Sequence, residues 1–130
     1  MIRPAVSGMA VAMWLAMAGP VSADDNHVAV TLPELSELAQ QGQPLFGANC
    51  SICHGESGSG SGSDKGPPLI HVIYEPSHHA DMAFVMAMRN GVRAHHWPFG
   101  DMAPVEGLSL ADMEAIIAFV REVQVANGID

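Results

Sequence analysis

The sequence predicts an all-α fold in which a few short helices are joined by long loops. Residues 109–128 show helical spacing of apolar side chains behind a serine that can cap a helix. No segment alternates apolar and polar residues as a hairpin would, whereas residues 55–66 are rich in glycine and serine and residues 94–107 hold two prolines and two glycines. Long loops are uncommon in a compact domain, so we expect them to wrap a large rigid ligand.

The composition is that of one small acidic domain. The chain has 130 residues, of which 48% are hydrophobic but only 5% aromatic, so a bound group has to supply part of the core. Lys and Arg number 5 against 14 Asp and Glu, a formal charge of -9. This balance argues against a nucleic-acid partner, which would require a basic surface.

Residues 1–23 are predicted to be a signal peptide. Arg3 gives a positive start, an apolar centre follows, and Val21-Ser22-Ala23 carries the small residues of a cleavage site, so we expect cleavage after Ala23 and export to the periplasm. An uncleaved anchor is the alternative, although the apolar centre is short for a membrane span. Cleavage removes Arg3 and leaves 4 Lys and Arg against 14 Asp and Glu, a formal charge of -10, with no membrane span.

The remaining chain divides into residues 24–43, an acidic lead-in with a short helix from about Pro33, and residues 44–130, which form the main domain. Pro44 suits the first turn of a new helix that runs toward the cysteines, because the N–H that proline lacks has no partner there.

Two further helices are expected in this domain. Residues 77–90 form the middle one, which ends at Gly91. The last begins behind Ser109 with Asp112 three residues on, an N-terminal capping pattern, and continues toward Gly128.

Residues 50–54 read C-S-I-C-H, the pattern that attaches a c-type haem in an exported protein. Cys50 and Cys53 stand where two thiols can add to the two vinyl groups of one porphyrin, and His54 then becomes the proximal iron ligand. The motif has three alternatives: a thioredoxin-like redox pair, which would need a preceding strand; a zinc site, which would need four ligands; and a plain disulfide.

With these residues the chain from about 44 to 125 resembles the small class I cytochromes c of bacteria. The matching pieces follow in family order and are Leu45-Phe46, Cys50 to Gly55, Gly66-Pro67-Pro68-Leu69, a middle helix, Gly100-Asp101-Met102-Ala103-Pro104 and an amphipathic last helix. The resemblance implies the class I cytochrome c fold, in which the first and last helices cross and one covalent haem c fills a crevice. It also implies that the Pro67 carbonyl accepts the Nδ1 proton of His54. The family usually has proline directly after the ligating methionine, whereas Ala103 intervenes here.

The sixth ligand of the iron is expected to be Met102, which lies in a loop ahead of Pro104. The alternatives are a histidine, His95 or His96, or an open site. Four other methionines are expected to fill the core at helical spacing, namely Met82, Met86, Met88 and Met113. His/Met ligation raises the potential relative to two histidines and suits electron transfer.

Three side chains have open roles. Trp97 either donates its indole N–H to a haem propionate or simply packs, and Arg93 either pairs with a propionate or is a solvated charge. His78 with Met82 and Met86 offers a copper site, against the alternative that these side chains pack or lie in solvent.

The favoured function is a periplasmic electron carrier that is not an enzyme by itself. A haem-bearing, electron-accepting subunit of a periplasmic dehydrogenase or oxidase is the alternative, and a sensor with a displaceable sixth ligand is a third. We expect a monomer whose redox-protein partners offer a basic or neutral apolar docking surface, because the chain is acidic.

Overall fold

The computed structural model describes residues 28–60 and 65–130. Four α-helices cover Glu37–Asn49 (α1), Ser51–His54 (α2), Asp81–Asn90 (α3) and Leu110–Ala126 (α4), and a 3-10 turn covers Val72–Tyr74. These described ranges contain no β-strand, and their one strand-like pairing is an isolated antiparallel bridge. The all-α prediction is confirmed. No helix in the described part of the chain is long and apolar enough to cross a membrane.

Helices α1 and α4 cross at the centre of the core. A Cβ atom at Gly42 would collide with the backbone of Ala115, so the absence of a side chain is what lets the two helices approach this closely. Next to this contact, the rings of Phe46 and Phe119 pack with centroids 5.4 Å apart at an interplanar angle of 54°. Both rings are fully buried.

Helix α1 corrects the sequence prediction of two helices divided at Pro44. A single helix runs from Glu37 to Asn49 with Pro44 inside it, so it crosses the expected boundary between residues 43 and 44. Pro44 is exposed, while Ala39, Gly42 and Phe46 recur on the face buried against α4. Packing of that face therefore keeps the helix continuous across the lost backbone hydrogen bond.

Residues 28–36 of the lead-in are not helical and lie along α4, whereas residues 37–43 belong to α1. The Ser36 side chain accepts from the Ala39 N–H as the N-cap of α1, so the helix predicted from about Pro33 begins later. The Ser36 hydroxyl also donates to Glu122, and the backbone of Thr31 bonds in both directions to the Asn127 side chain.

Helix α3 begins at Asp81, four residues after the predicted start at Ser77. Residues 75–79 form a turn in which the His79 N–H donates to the Glu75 carbonyl at 2.8 Å. The predicted end at Gly91 is confirmed, with φ 73° at that residue.

The start of α4 agrees with the sequence prediction. Ser109 and Asp112 form the reciprocal capping pair, and these hydrogen bonds lower the pKa of Asp112. Of the six apolar side chains whose spacing predicts this helix, Leu110 is 49% exposed and the other five are buried, namely Met113, Ile116, Ile117, Val120 and Val123. Helix α4 also buries Phe119 and Gln124, which that spacing does not indicate.

The predicted signal peptide and its cleavage after Ala23 fall outside the described residues.

Candidate functional site

A cavity of about 570 Å³ lies between α1, α3, α4 and the two long loops. Most of the side chains that line it are apolar, including Phe46, Leu69, Phe84, Met88, Ile116 and Val120. Native cores contain few voids much larger than a water molecule, and ligand clefts span roughly 300–1,000 Å³. The cavity therefore has the size and lining of a binding site for one large apolar group.

The two cysteines lie where α1 passes into α2. Cys50 is the C-cap of α1, is buried and lines the cavity, while Cys53 is half-buried, and no disulfide joins the two. Burial, and then the neighbouring Cys53, raise the pKa of Cys50 to about 11. A Cβ at Gly66 would lie 2.8 Å from the Cys53 carbonyl oxygen, so the 66–69 loop can pass this close only because residue 66 is glycine.

His54 ends α2 and lines the cavity. Its Nδ1 lies 2.9 Å from the Pro67 carbonyl oxygen, to which it can only donate, so Nε2 is the ring nitrogen that keeps a free lone pair. Burial lowers the pKa of His54, and the hydrogen bond to Pro67 opposes this effect. The imidazole is therefore oriented by Pro67, and burial favours the neutral form, which is the form that binds a metal.

Met102 reaches the same cavity from the second long loop. Its N–H donates to the Val92 carbonyl at 2.8 Å, and the Val92 N–H donates back at 2.9 Å. Gly91, just after α3, passes so close to this bridge that a Cβ there would collide with the Met102 carbonyl. The backbone thus holds Met102 against the end of α3.

The other candidate ligands separate into two groups. Among the described residues, Met86, Met88, His95 and His96 line the cavity together with Met102. Met113 is not part of that lining and is buried in the core, whereas Met82 is 65% exposed. Of the candidate ligands of the iron, Met82 and Met113 therefore lie outside the cavity lining.

Trp97 brings an unpaired polar atom to the cavity. Its Nε1 atom is buried and has no hydrogen-bond acceptor within the part of the chain that the structure describes. Burial raises the pKa of the nearby Tyr74 phenol to about 12. The Trp97 N–H opposes part of that rise, although it is not placed to form a hydrogen bond with the phenol oxygen. A buried, unpaired N–H costs free energy, so a negatively charged ligand group beside it would relieve that cost.

The comparison with protein families agrees with this geometry. The cytochrome c family matches residues 39–124, about two thirds of the chain. The chain belongs to the cytochrome c family. A cytochrome c carries covalent haem c and transfers electrons through it, and the helical architecture described above is the class I cytochrome c fold that the sequence predicted.

The residues of this cytochrome fit such a group. The cavity offers a buried thiol at Cys50, a neutral imidazole at His54 and an apolar lining, which suit a flat porphyrin with a central iron. The unpaired N–H of Trp97 suits one of the porphyrin's carboxylates. Arg93, the other candidate partner of a propionate, is exposed and does not line the cavity.

Sequence reasoning missed one residue that shapes the site from outside, Arg121. It forms an ion pair with Asp81 at 2.8 Å, lies over the Phe84 ring and donates to the carbonyls of Tyr74 and His79. These bonds fasten the turn before α3 to α4. No local sequence signal marks such a residue, because each of its partners except Gln124 lies 37 or more residues away.

Proposed function

We propose that this cytochrome c is an electron carrier exported to the periplasm, with one haem joined by thioethers to Cys50 and Cys53 and ligated by His54 and Met102. The observation that carries the proposal is that Cys50, His54 and Met102 line one apolar cavity although separate segments position them. Its support is strongest at His54, whose Nδ1 bond to Pro67 leaves Nε2 for the iron.

The bound haem would supply one-electron exchange between Fe(II) and Fe(III), and the residues of the chain set the conditions for it. His54 holds its ring in one orientation, Met102 offers a thioether from a loop anchored to α3, and the apolar lining excludes water from both. A methionine opposite a histidine raises the reduction potential relative to two histidines. Trp97 would hold one haem carboxylate by donating its N–H.

A carrier rather than a catalyst is favoured because two protein ligands leave no position for a substrate at the iron. Export is favoured because residues 1–23 have the composition of a signal peptide, and because haem attachment to a C-x-x-C-H unit is typical of exported proteins.

The partner is proposed to dock through a basic or neutral apolar surface, and the cytochrome to act as a monomer. After cleavage four cations remain, and Arg121 is engaged in the contacts with Asp81 and α4. Lys65, Arg89 and Arg93 are exposed and do not line the cavity. Net charge therefore sets the field that a partner meets.

The test is a redox titration of the purified holoprotein with and without carbon monoxide. A reversible one-electron transition and no reaction of the ferrous protein with carbon monoxide are expected, because Met102 would occupy the sixth position. Rapid carbon monoxide binding by the ferrous protein would contradict the carrier proposal and favour a sensor with a displaceable ligand.

A further inference from the structure

Two pairs of adjacent histidines flank helix α3 and converge at one side of the cavity. His78 and His79 lie in the turn before α3, and His95 and His96 lie in the loop after it. One ring nitrogen each of His78, His79 and His96 lies within 4.8 Å of the others. The ring centroids of His95 and His96 are 4.2 Å apart, so a fourth imidazole adjoins the three.

The spacing of two of these nitrogens matches that of ligands on one metal ion. His78 Nε2 and His96 Nε2 are 3.5 Å apart. Imidazole nitrogens at 2.0–2.1 Å from a tetrahedral Zn²⁺ stand about 3.3 Å from each other. An ion between these two rings would therefore need little movement of either.

The third ring is already oriented in the way metal-binding histidines usually are. His79 Nδ1 lies 2.7 Å from the Ile73 carbonyl oxygen and must donate to it, which leaves the lone pair of Nε2 free. The His79 carbonyl accepts a hydrogen bond from Arg121, which ties the backbone of this residue to α4. His79 is thus a fixed ligand, while His78 and His96 are exposed and open to an ion from solvent.

We propose that His78, His79 and His96 bind one divalent transition-metal ion of the Zn²⁺ and Cu²⁺ class, separate from the haem iron. Three neutral imidazoles suit these ions, whereas Mg²⁺ prefers oxygen ligands. The site differs from the copper site that the sequence suggested, because the partners of His78 are two other imidazoles rather than the thioethers of Met82 and Met86. Because His79 and His96 also line the haem cavity, the ion would lie at its rim.

The experiment is a calorimetric titration of metal-free ferric holoprotein with Zn²⁺. One ion per chain is expected, and Mg²⁺ should give no heat of binding. His78→Ala and His96→Ala should each weaken Zn²⁺ binding by about tenfold or more, since even losing an outer-shell partner of a ligand costs 10–100-fold.

Two control variants should bind Zn²⁺ as the unaltered protein does. His71→Asn removes an imidazole outside the cluster but keeps a side-chain acceptor for the Ile73 N–H. Met82→Leu removes the exposed thioether that follows His78 by four residues in the sequence.

Three outcomes would overturn the proposal. The first is that Zn²⁺ does not bind stoichiometrically. The second is that Met82→Leu weakens Zn²⁺ binding as much as His78→Ala does. The third is that His96→Ala changes the visible spectrum in the absence of zinc, which would assign that imidazole to the haem iron.

Discussion

A backbone oxygen thirteen residues further along the chain orients the imidazole of His54. The Pro67 carbonyl selects the ring nitrogen that carries the proton, and burial lowers the pKa of the ring. Both effects favour ligation of a metal. Burial disfavours the imidazolium form, and the carbonyl fixes the tautomer of the neutral form. The ligand is thus prepared before a metal binds.

Met102 is the residue on which the proposed redox chemistry depends most directly. Met102→Ala should abolish the weak far-red absorption band that sulfur-to-iron ligation gives to ferric cytochromes c. It should also lower the midpoint potential by on the order of 0.1 V, since axial ligands tune haem potentials over about 0.8 V. Absorption spectra and a redox titration measure both effects.

Met86→Ala is the matched control for this substitution. Met86 also lines the cavity but belongs to α3 and is 49% exposed. The band should survive in Met86→Ala. Its survival in Met102→Ala would show that another residue ligates the iron.

Among individual residues, the sequence predicted site residues that belong to a local motif and missed buried residues that do not. Cys50, Cys53 and His54 stand in one pentapeptide, and Met102 stands between a glycine and a proline. Gln124 has no such context, yet it is fully buried and its side chain bonds to the Leu69 carbonyl, to the Tyr74 carbonyl and to Arg121. Bonds to backbone atoms of distant loops leave no pattern in the sequence.

The bridge between Val92 and Met102 positions the second loop, and it depends on Gly91. Gly91→Ala would place a Cβ against the Met102 carbonyl at a residue whose φ is 73°. We expect destabilisation of on the order of 1–3 kcal/mol, because a non-glycine residue is strained in this backbone region. We also expect a weaker far-red band, because the Met102 segment has to move. Denaturant unfolding and ferric spectra of the holoprotein test both.

Gly107→Ala separates backbone strain from displacement of the loop. Gly107 has a similar φ of 82°, but nothing lies within 4 Å of a Cβ there. This control should lose stability and keep the band. Equal spectra in the two variants would show that the close contact at Gly91 does not position Met102.

Helix boundaries were predicted correctly where a capping residue marked them. They were predicted wrongly where packing outweighed the positional preference of a residue such as Pro44. Ser109 with Asp112 and the terminal Gly91 gave the start of α4 and the end of α3. Pro44 suggested a start but lies inside α1, because the buried face of that helix continues on both sides of it. The turn before α3 is set by contacts of His79 with Ile73 and Arg121, which helical spacing does not reveal.

The charge of the whole molecule determines how its partner should approach. With the formal charge of -10 that the proposed cleavage would leave, electron transfer to a basic redox protein should slow as salt rises, and transfer to an acidic one should speed up. Stopped-flow rates with one protein of each kind, measured across ionic strength, test this. Opposite slopes would show that a local basic patch governs docking instead of the net charge.

At the scale of the molecule, scarcity of aromatic residues and excess of loop predicted a chain built around a large group. The cavity of about 570 Å³ agrees with that expectation. The position of the cavity could not be predicted from composition. Helices α1 and α4 cross at Gly42 and Ala115, and α3 and two loops enclose the space beside that crossing.

Covalent attachment of one haem through both cysteines is the central claim, and the intact mass of the exported, purified protein tests it most directly. The mass should equal that of residues 24–130 plus one haem, with no free thiol, and the haem should stay with the chain in acidified acetone. A polypeptide mass without haem, or haem released by that treatment, would contradict the claim.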